Sequence, residues 1–237
     1  MKVGNEWALY VPEDKDRDQS YFLFTTTPDQ LDYLRFPLGG LSKLETRALA
    51  AEFGLLVADK PDSQDICFVP GGSYLDVVRQ HRPEALAGGA IVDLQGQELA
   101  RHEGIAGYTI GQRKGLGLGA VTGAGDPLYV VELRSETREV VVGPKEALLV
   151  DEIRISDVNW LASDLAAGAS RVCTIKVRSM QDAQTGRVIP DGQGAAIVTL
   201  DASATGVAPG QACVLYDGPR VLGGGWIETT TRRPVAA

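Results

Sequence analysis

Arg171-Val172-Cys173-Thr174-Ile175-Lys176-Val177-Arg178 is the stretch whose reading decides the fold. Its side chains alternate, with Cys173, Ile175 and Val177 on one face and Thr174, Lys176 and Arg178 on the other. That period of two belongs to a strand with one buried face. Residues 152–159, 195–200, 211–216 and 220–228 also read as strands, separated by Asp-Gly and Pro-Gly turns. Short strands punctuated in this way predict a small antiparallel barrel or sandwich. Cys173 is then a core side chain, and so is Cys213, which shares a face with Leu215. Lys176 and Arg178 point to solvent unless a partner covers them.

Upstream the periodicity changes. Residues 90–94 and 97–100 flank Gln95-Gly96 as a hairpin, and 128–133 and 139–143 form another. Residues 73–80 predict a short helix with Tyr74, Val77 and Val78 on one face. Further back, Thr27-Pro28-Asp29-Gln30 supplies a capping hydroxyl, a first-turn proline and the glutamine of a capping box, opening a helix that stops near Phe36-Pro37. Ser42-Lys43-Leu44-Glu45 is a second capping box. Leu41, Leu44, Ala48, Leu49 and Phe53 follow at helical spacing, and Gly54 ends that helix. Trp7-Ala8-Leu9-Tyr10-Val11 reads as a strand with nothing before it to pair, so we expect further sequence upstream.

Composition narrows the chemistry. At 237 residues, 44% hydrophobic and 23% charged, the chain has the make-up of an ordinary globular protein. No apolar run approaches the ~20 residues that span a bilayer, and the first residues lack a signal-peptide core. A cytoplasmic protein with no membrane partner is expected. Three cysteines (Cys67, Cys173, Cys213) and two histidines (His81, His102) support neither a disulfide framework nor a zinc cluster. A net charge of −8 excludes nucleic-acid binding through bulk positive charge and leaves room only for a local basic surface.

Two stretches carry possible chemistry. Lys60-Pro61-Asp62-Ser63-Gln64-Asp65-Ile66-Cys67-Phe68 sets one thiol among donors and acceptors, between a helix and a Pro-Gly-Gly turn. A lone cysteine is either a small buried hydrophobe or a reactive thiol, and position alone leaves both open. Gly111-Gln112-Arg113-Lys114-Gly115-Leu116-Gly117 has the glycines and cations of a phosphate loop. It lacks a Ser or Thr after Lys114 and a helix to follow, so a flexible inter-strand loop is the simpler reading. Arg113 and Lys114 remain candidates to meet a phosphate backbone.

Five runs occur in series: 18–23 (Asp-Gln-Ser-Tyr-Phe-Leu), 63–68 (Ser-Gln-Asp-Ile-Cys-Phe), 104–117 (ending Gly-Gln-Arg-Lys-Gly-Leu-Gly), 128–131 (Leu-Tyr-Val-Val) and 223–227 (Gly-Gly-Gly-Trp-Ile). In this order they resemble the bacterial tRNA-specific 2-thiouridylase family over essentially the whole chain. The resemblance implies sulfur transfer to a wobble uridine of tRNA, with ATP adenylating the base and a cysteine persulfide delivering sulfur. It implies an α+β chain: residues 1–68 a helical remnant of an N-terminal α/β nucleotide-binding domain, 69–149 a small β-rich central adaptor domain, and 150–237 a C-terminal antiparallel β-barrel.

Residue by residue, the resemblance makes Cys67 the persulfide carrier. It aligns Arg17, Asp18 and Gln19 with a tRNA-contacting Lys-Asp-Gln segment, Arg178 and Ser179 with a tRNA-contacting pair, and Gln211 with a tRNA-contacting glutamine. Arg17 in place of lysine keeps the charge and changes the donor geometry. The implied partners are tRNA and a sulfur-relay donor protein or cysteine desulfurase. The family's Ser-Gly-Gly-x-Asp-Ser pyrophosphate loop and its first catalytic cysteine, which completes the site, lie upstream of the equivalent of Met1, and neither motif occurs in these residues. Mg-ATP is therefore expected to bind outside this chain, and the isolated chain is expected to be inactive. The competing expectation is a non-catalytic tRNA-binding or adaptor remnant with a structural Cys67.

Overall fold

The computed structural model describes residues 2–4, 6–60, 74–118 and 126–232. The chain divides into two compact units. One comprises Met1–Asp62, Asp151–Ser203 and Ala208–Thr231, and the other Ser63–Val150, Ala204–Val207 and Arg232–Ala237. The first unit carries β1 (Lys2–Val3), β2 (Glu6–Trp7), α1 (Pro28–Tyr33) and α2 (Lys43–Glu52). The second carries α3 (Tyr74–His81), β3 (Gly89–Val92), β4 (Glu98–His102), β5 (Tyr129–Arg134) and β6 (Glu139–Gly143). Then come β7 (Val150–Trp160), β8 (Arg171–Lys176), β9 (Gln184–Pro190), β10 (Ala196–Ala204), β11 (Ala212–Asp217) and β12 (Arg220–Arg232).

The last six strands close into an antiparallel barrel in the order β10-β7-β12-β11-β8-β9. Closure leaves no exposed sheet edge. Inside, Cys173, Ile175, Cys213, Leu215, Ile153 and Ile155 are buried as alternation requires. The sequence reading passed over β9. Gly186 interrupts its pattern because a Cβ there would come 2.3 Å from the Thr199 carbonyl oxygen and 2.6 Å from Ile175. Pro190, which has no N–H to donate, stands at its end.

One barrel face is not solvated. Ala212, Val214 and Tyr216 of β11 point outward yet are buried, in a cluster with Leu9, Tyr21, Phe24, Leu31, Leu161 and Val221. Residues 7–31 lie over this face. Leu9 and Val11 pair with the start of β12 through Val221 N–H to Leu9 O and Val11 N–H to Pro219 O, both at 2.9 Å. The expected strand at 7–11 is thus a short irregular pairing with the start of β12, with Tyr10 bridged to Arg220. Asn159 pins the following turn, its Nδ2 donating to the Phe24 and Thr26 carbonyls at 2.7 and 2.9 Å.

Both capping boxes form. Thr27 and Gln30 close α1, and Ser42 and Glu45 close α2. The expected apolar face of α2 is nevertheless only partly covered: no α2 residue reaches the core, Leu41 and Leu49 are half-buried, and Leu44, Phe53, Leu56 and Val57 stand in solvent.

The second unit is a four-stranded sheet in the order β4-β3-β6-β5, antiparallel except for β3 beside β6. The Gln95-Gly96 turn forms as expected, with Asp93 Oδ1 accepting from the N–H groups of Gln95 and Gln97 at 2.9 and 2.8 Å. Ile91, Val130, Val140 and Val142 make the core together with Leu116 and Leu118.

Candidate nucleic-acid interface

The β8–β11 ladder ends at Lys176 opposite Val214. Beyond it, the carbonyls of Val177 and Ala212 need a donor, because buried backbone groups are costly to leave unpaired. Tyr21 supplies one: its hydroxyl donates to Ala212 O at 2.9 Å and lies 3.2 Å from Val177 O. Burial, then the neighbouring Cys213, push that hydroxyl from an ordinary 10.0 up to about 12, against a downward pull from Arg178. It therefore stays protonated, and able to donate, above the pH at which an exposed tyrosine would ionise.

Around this anchor the first unit opens a cleft lined by Tyr21, Phe22, Phe24, Thr25, Val177, Arg178, Ser179, Met180, Gly210, Gln211, Ala212 and Trp226. Three of the residues singled out from the sequence, Arg178, Ser179 and Gln211, converge there from two separate stretches of chain. β8 ends at Lys176, two residues short of the strand read from the sequence, so Arg178 is exposed in the bend beyond it and Ser179 follows in the turn. Gln211 is held by its own backbone turn: its Oε1 accepts from Ala208 N–H at 3.1 Å, which leaves the amide NH₂ to donate elsewhere.

Asp18 has a structural task. Its Oδ1 accepts from Ser20 N–H at 2.8 Å, and its Oδ2 lies 3.5 Å from Lys176 Nζ. Lys176 is therefore covered by Asp18, where the strand pattern alone left it in solvent. Arg17 and Gln19 flank this pair on the exposed side.

Arg113 and Lys114 belong to the second unit, and both are exposed. Their loop is held at both ends, unlike the flexible loop of the simpler reading. Gly111 N–H donates to Val130 O at 2.8 Å and Val130 N–H to Gln112 O at 2.9 Å, while Gln112 Nε2 donates to Lys114 O at 3.0 Å. Leu116 and Leu118 anchor its C-terminal end in the core, and Gly115 and Gly117 take the left-handed backbone the turns require. Cys67 and its neighbours from 61 to 73 lie outside the described residues.

The N-termini of α1 and α2 are closed by their own caps, and Glu45 adds negative charge to the second. No group of His, Cys, Asp and Glu suited to a metal ion occurs among the described residues. No described helix is long and apolar enough to cross a membrane. Burial pushes the Cys173 thiol from 9.0 up to about 11 and the Cys213 thiol higher still, so both barrel cysteines are inert packing groups.

The sequence reading missed the aromatic part of the cleft. Its signal was the Gly-Gly-Gly-Trp run at 223–226. A Cβ on Gly224 would come 2.9 Å from the Phe24 ring, so this glycine lets Phe24 lie against β12. Phe24 in turn meets Trp226 edge-on, with ring centroids 5.4 Å apart.

Comparison with known proteins accounts for nearly the whole chain. Residues 2–71 match the tRNA methyl transferase HUP domain, 75–144 the tRNA methyl transferase PRC-barrel domain, and 150–227 the aminomethyltransferase beta-barrel domain. The tRNA-specific 2-thiouridylase MnmA of Rhodospirillum centenum is 55% identical over 234 residues, 97% of this chain and 59% of that protein. Those of Rhizobium rhizogenes and Rhizobium meliloti are 54% and 53% identical, over 97% and 99% of this chain and 58% and 60% of their own lengths. The chain therefore spans less than two thirds of these relatives. With three family domains in series and identity above half along nearly its whole length, the chain belongs to the tRNA-specific 2-thiouridylase family.

Proposed function

We propose that this chain serves the 2-thiolation of a tRNA uridine, with the barrel and its covering segment holding tRNA and Cys67 carrying the transferred sulfur as a persulfide. One observation supports the tRNA part above the others. Arg178, Ser179 and Gln211, matched to tRNA contacts by resemblance alone, line a single cleft and present a guanidinium, a hydroxyl and an amide together. Arg17 and Gln19, beside the Asp18–Lys176 pair, extend the contact, and Arg113 and Lys114 add phosphate contacts from the second unit. Uridine activation by ATP is assigned to no described residue, so the chain by itself is expected to bind tRNA without thiolating it. A sulfur-relay protein or cysteine desulfurase is the expected donor, and the cytoplasm the expected setting.

Phosphate contacts make binding salt-sensitive. Arg178→Ala is expected to weaken tRNA binding by about 1–3 kcal/mol, as loss of a charge-assisted hydrogen bond does, with an unchanged melting temperature. Wild-type affinity in that variant, measured by filter binding at fixed salt, removes the barrel from the interface. Mild alkylation with mass-spectrometric readout tests the thiol: Cys67 should label first, with Cys173 and Cys213 protected until unfolding. Equal protection of all three would favour a structural Cys67 in a non-catalytic tRNA-binding chain.

A further inference from the structure

Large apolar side chains stand in solvent around Arg178. Phe22 is 57% exposed, Trp226 42% and Met180 95%, and all three line one open cleft of about 560 Å³. The two rings are held from beneath. Phe22 meets Tyr21 edge-on at 5.3 Å, and Tyr21 is tied by its hydroxyl to Ala212 and Val177. Trp226 meets buried Phe24 edge-on at 5.4 Å. Rings fixed before a partner arrives lose little freedom on binding it.

The charge around them is equally selective. Among the described residues, Arg178 is the only charged side chain lining the cleft, on a chain whose net charge is −8. Aromatic walls beside a single cation suit a planar, apolar group with an anion attached. Base stacking on aromatic side chains, with a guanidinium near the backbone, is how single-stranded nucleic acid is held. The volume lies within the roughly 300–1,000 Å³ of small-ligand clefts, enough for one nucleotide.

We propose that this cleft takes one unpaired base of an RNA strand, stacked against the Trp226 and Phe22 rings, with the adjoining phosphate at Arg178. This rests on the tRNA reading and deepens it. A paired base keeps its faces inside the helical stack, so the cleft selects a looped or splayed nucleotide over a duplex. Met180 contributes an unbranched thioether that adapts to purine or pyrimidine alike, so the cleft tolerates different bases.

The test uses the whole chain with three probes: a tRNA transcript, a short single-stranded RNA, and the same sequence as a blunt duplex. The single strand should bind and quench tryptophan fluorescence, and the quench should vanish in Trp226→Phe while binding is largely kept. Phe22→Ala and Trp226→Ala should each weaken single-strand binding about tenfold, the size of one lost stacking contact, and leave duplex binding unchanged. Phe22 is 57% exposed and lies outside the buried cluster, so Phe22→Ala decides the matter if Trp226→Ala fails to fold. Unaltered single-strand affinity in a folded Phe22→Ala chain overturns the proposal, and if tRNA still binds, the tRNA reading survives it. Quenching by the single strand without any tRNA binding removes the tRNA reading and leaves the cleft. Absence of both overturns both.

Discussion

The first sixty residues split into two halves that meet the barrel's unit in opposite ways. Residues 7–31 give Leu9, Tyr21, Phe24 and Leu31 to a cluster that buries the outer face of β11. Residues 33–57 hold a well-capped ten-residue helix that sends no side chain into a core, with Leu49 and Ala50 only half-buried and Tyr33, Leu44, Phe53 and Leu56 in solvent. Both halves carry a capping box, so the local signal at a helix start does not separate them. The difference lies in tertiary partners. The first half has a barrel strand that is apolar on both sides, and the second has no such surface among the described residues. A helix end is fixed by hydrogen bonds within four residues, whereas burial of its face depends on what packs against it.

The sharpest way to break this comparison is to truncate one aromatic ring in each half. Phe24 is 2% exposed, against Gly224 and Trp226, and Phe53 is 71% exposed. Phe24→Ala leaves a cavity between strand and covering segment and is expected to cost about 3–5 kcal/mol in urea unfolding. Phe53→Ala should change stability by no more than about 0.5 kcal/mol. Equal losses would show that the second half is packed in solution.

The same division explains what the sequence disclosed. Both capping boxes were legible because each is complete within four residues, and the β8 alternation placed Cys173 and Ile175 correctly because a strand's period is local. Strand β9 escaped notice because Gly186 and Pro190 answer to Thr199, Ile175 and the strand's end, which no window around them contains. Lys176 was read as solvated because its partner, Asp18, lies in the covering segment. The cleft was legible only in its polar half. Arg178, Ser179 and Gln211 came from resemblance, whereas Phe22 and Trp226 become one site only when Tyr21 and Asn159 fasten the covering segment to the barrel. Cys67, the residue of greatest chemical interest in the sequence, lies outside the described residues.

Removing a cap from each half gives a smaller effect. Thr27→Ala and Ser42→Ala each delete a hydroxyl that accepts from the N–H three residues on, at 3.3 Å in both cases. The local cost is about 1 kcal/mol for either. Helix α1 buries Leu31 in the covering cluster, so its loss should lower the global urea midpoint. Helix α2 contributes nothing to that core, so Ser42→Ala should raise amide exchange across 43–52 and leave the midpoint in place. A global shift from Ser42→Ala would mean that α2 unfolds together with the barrel.

The smallest expected effect is a pH dependence carried by buried acids of the covered face and the barrel interior. Burial raises Tyr21 and Tyr216 from 10.0 to about 12 and Cys173 from 9.0 to about 11. Each is an acid that the fold holds protonated, so on unfolding the chain releases protons that the native state keeps. Stability is then present in full below the ordinary values near 9.0 and 10.0, and is lost as pH rises through about 11 and 12. Tyr21→Phe removes one of these titrations together with the hydrogen bond to Ala212. Its stability should therefore start lower near neutral pH, by the ~1 kcal/mol of a lost hydrogen bond, and fall less steeply than wild type between about pH 10 and 12. Urea midpoints across that range measure the slope. Parallel curves for the two proteins would show that Tyr21 ionises as easily folded as unfolded, and hence that the covering segment does not seal this face of the barrel.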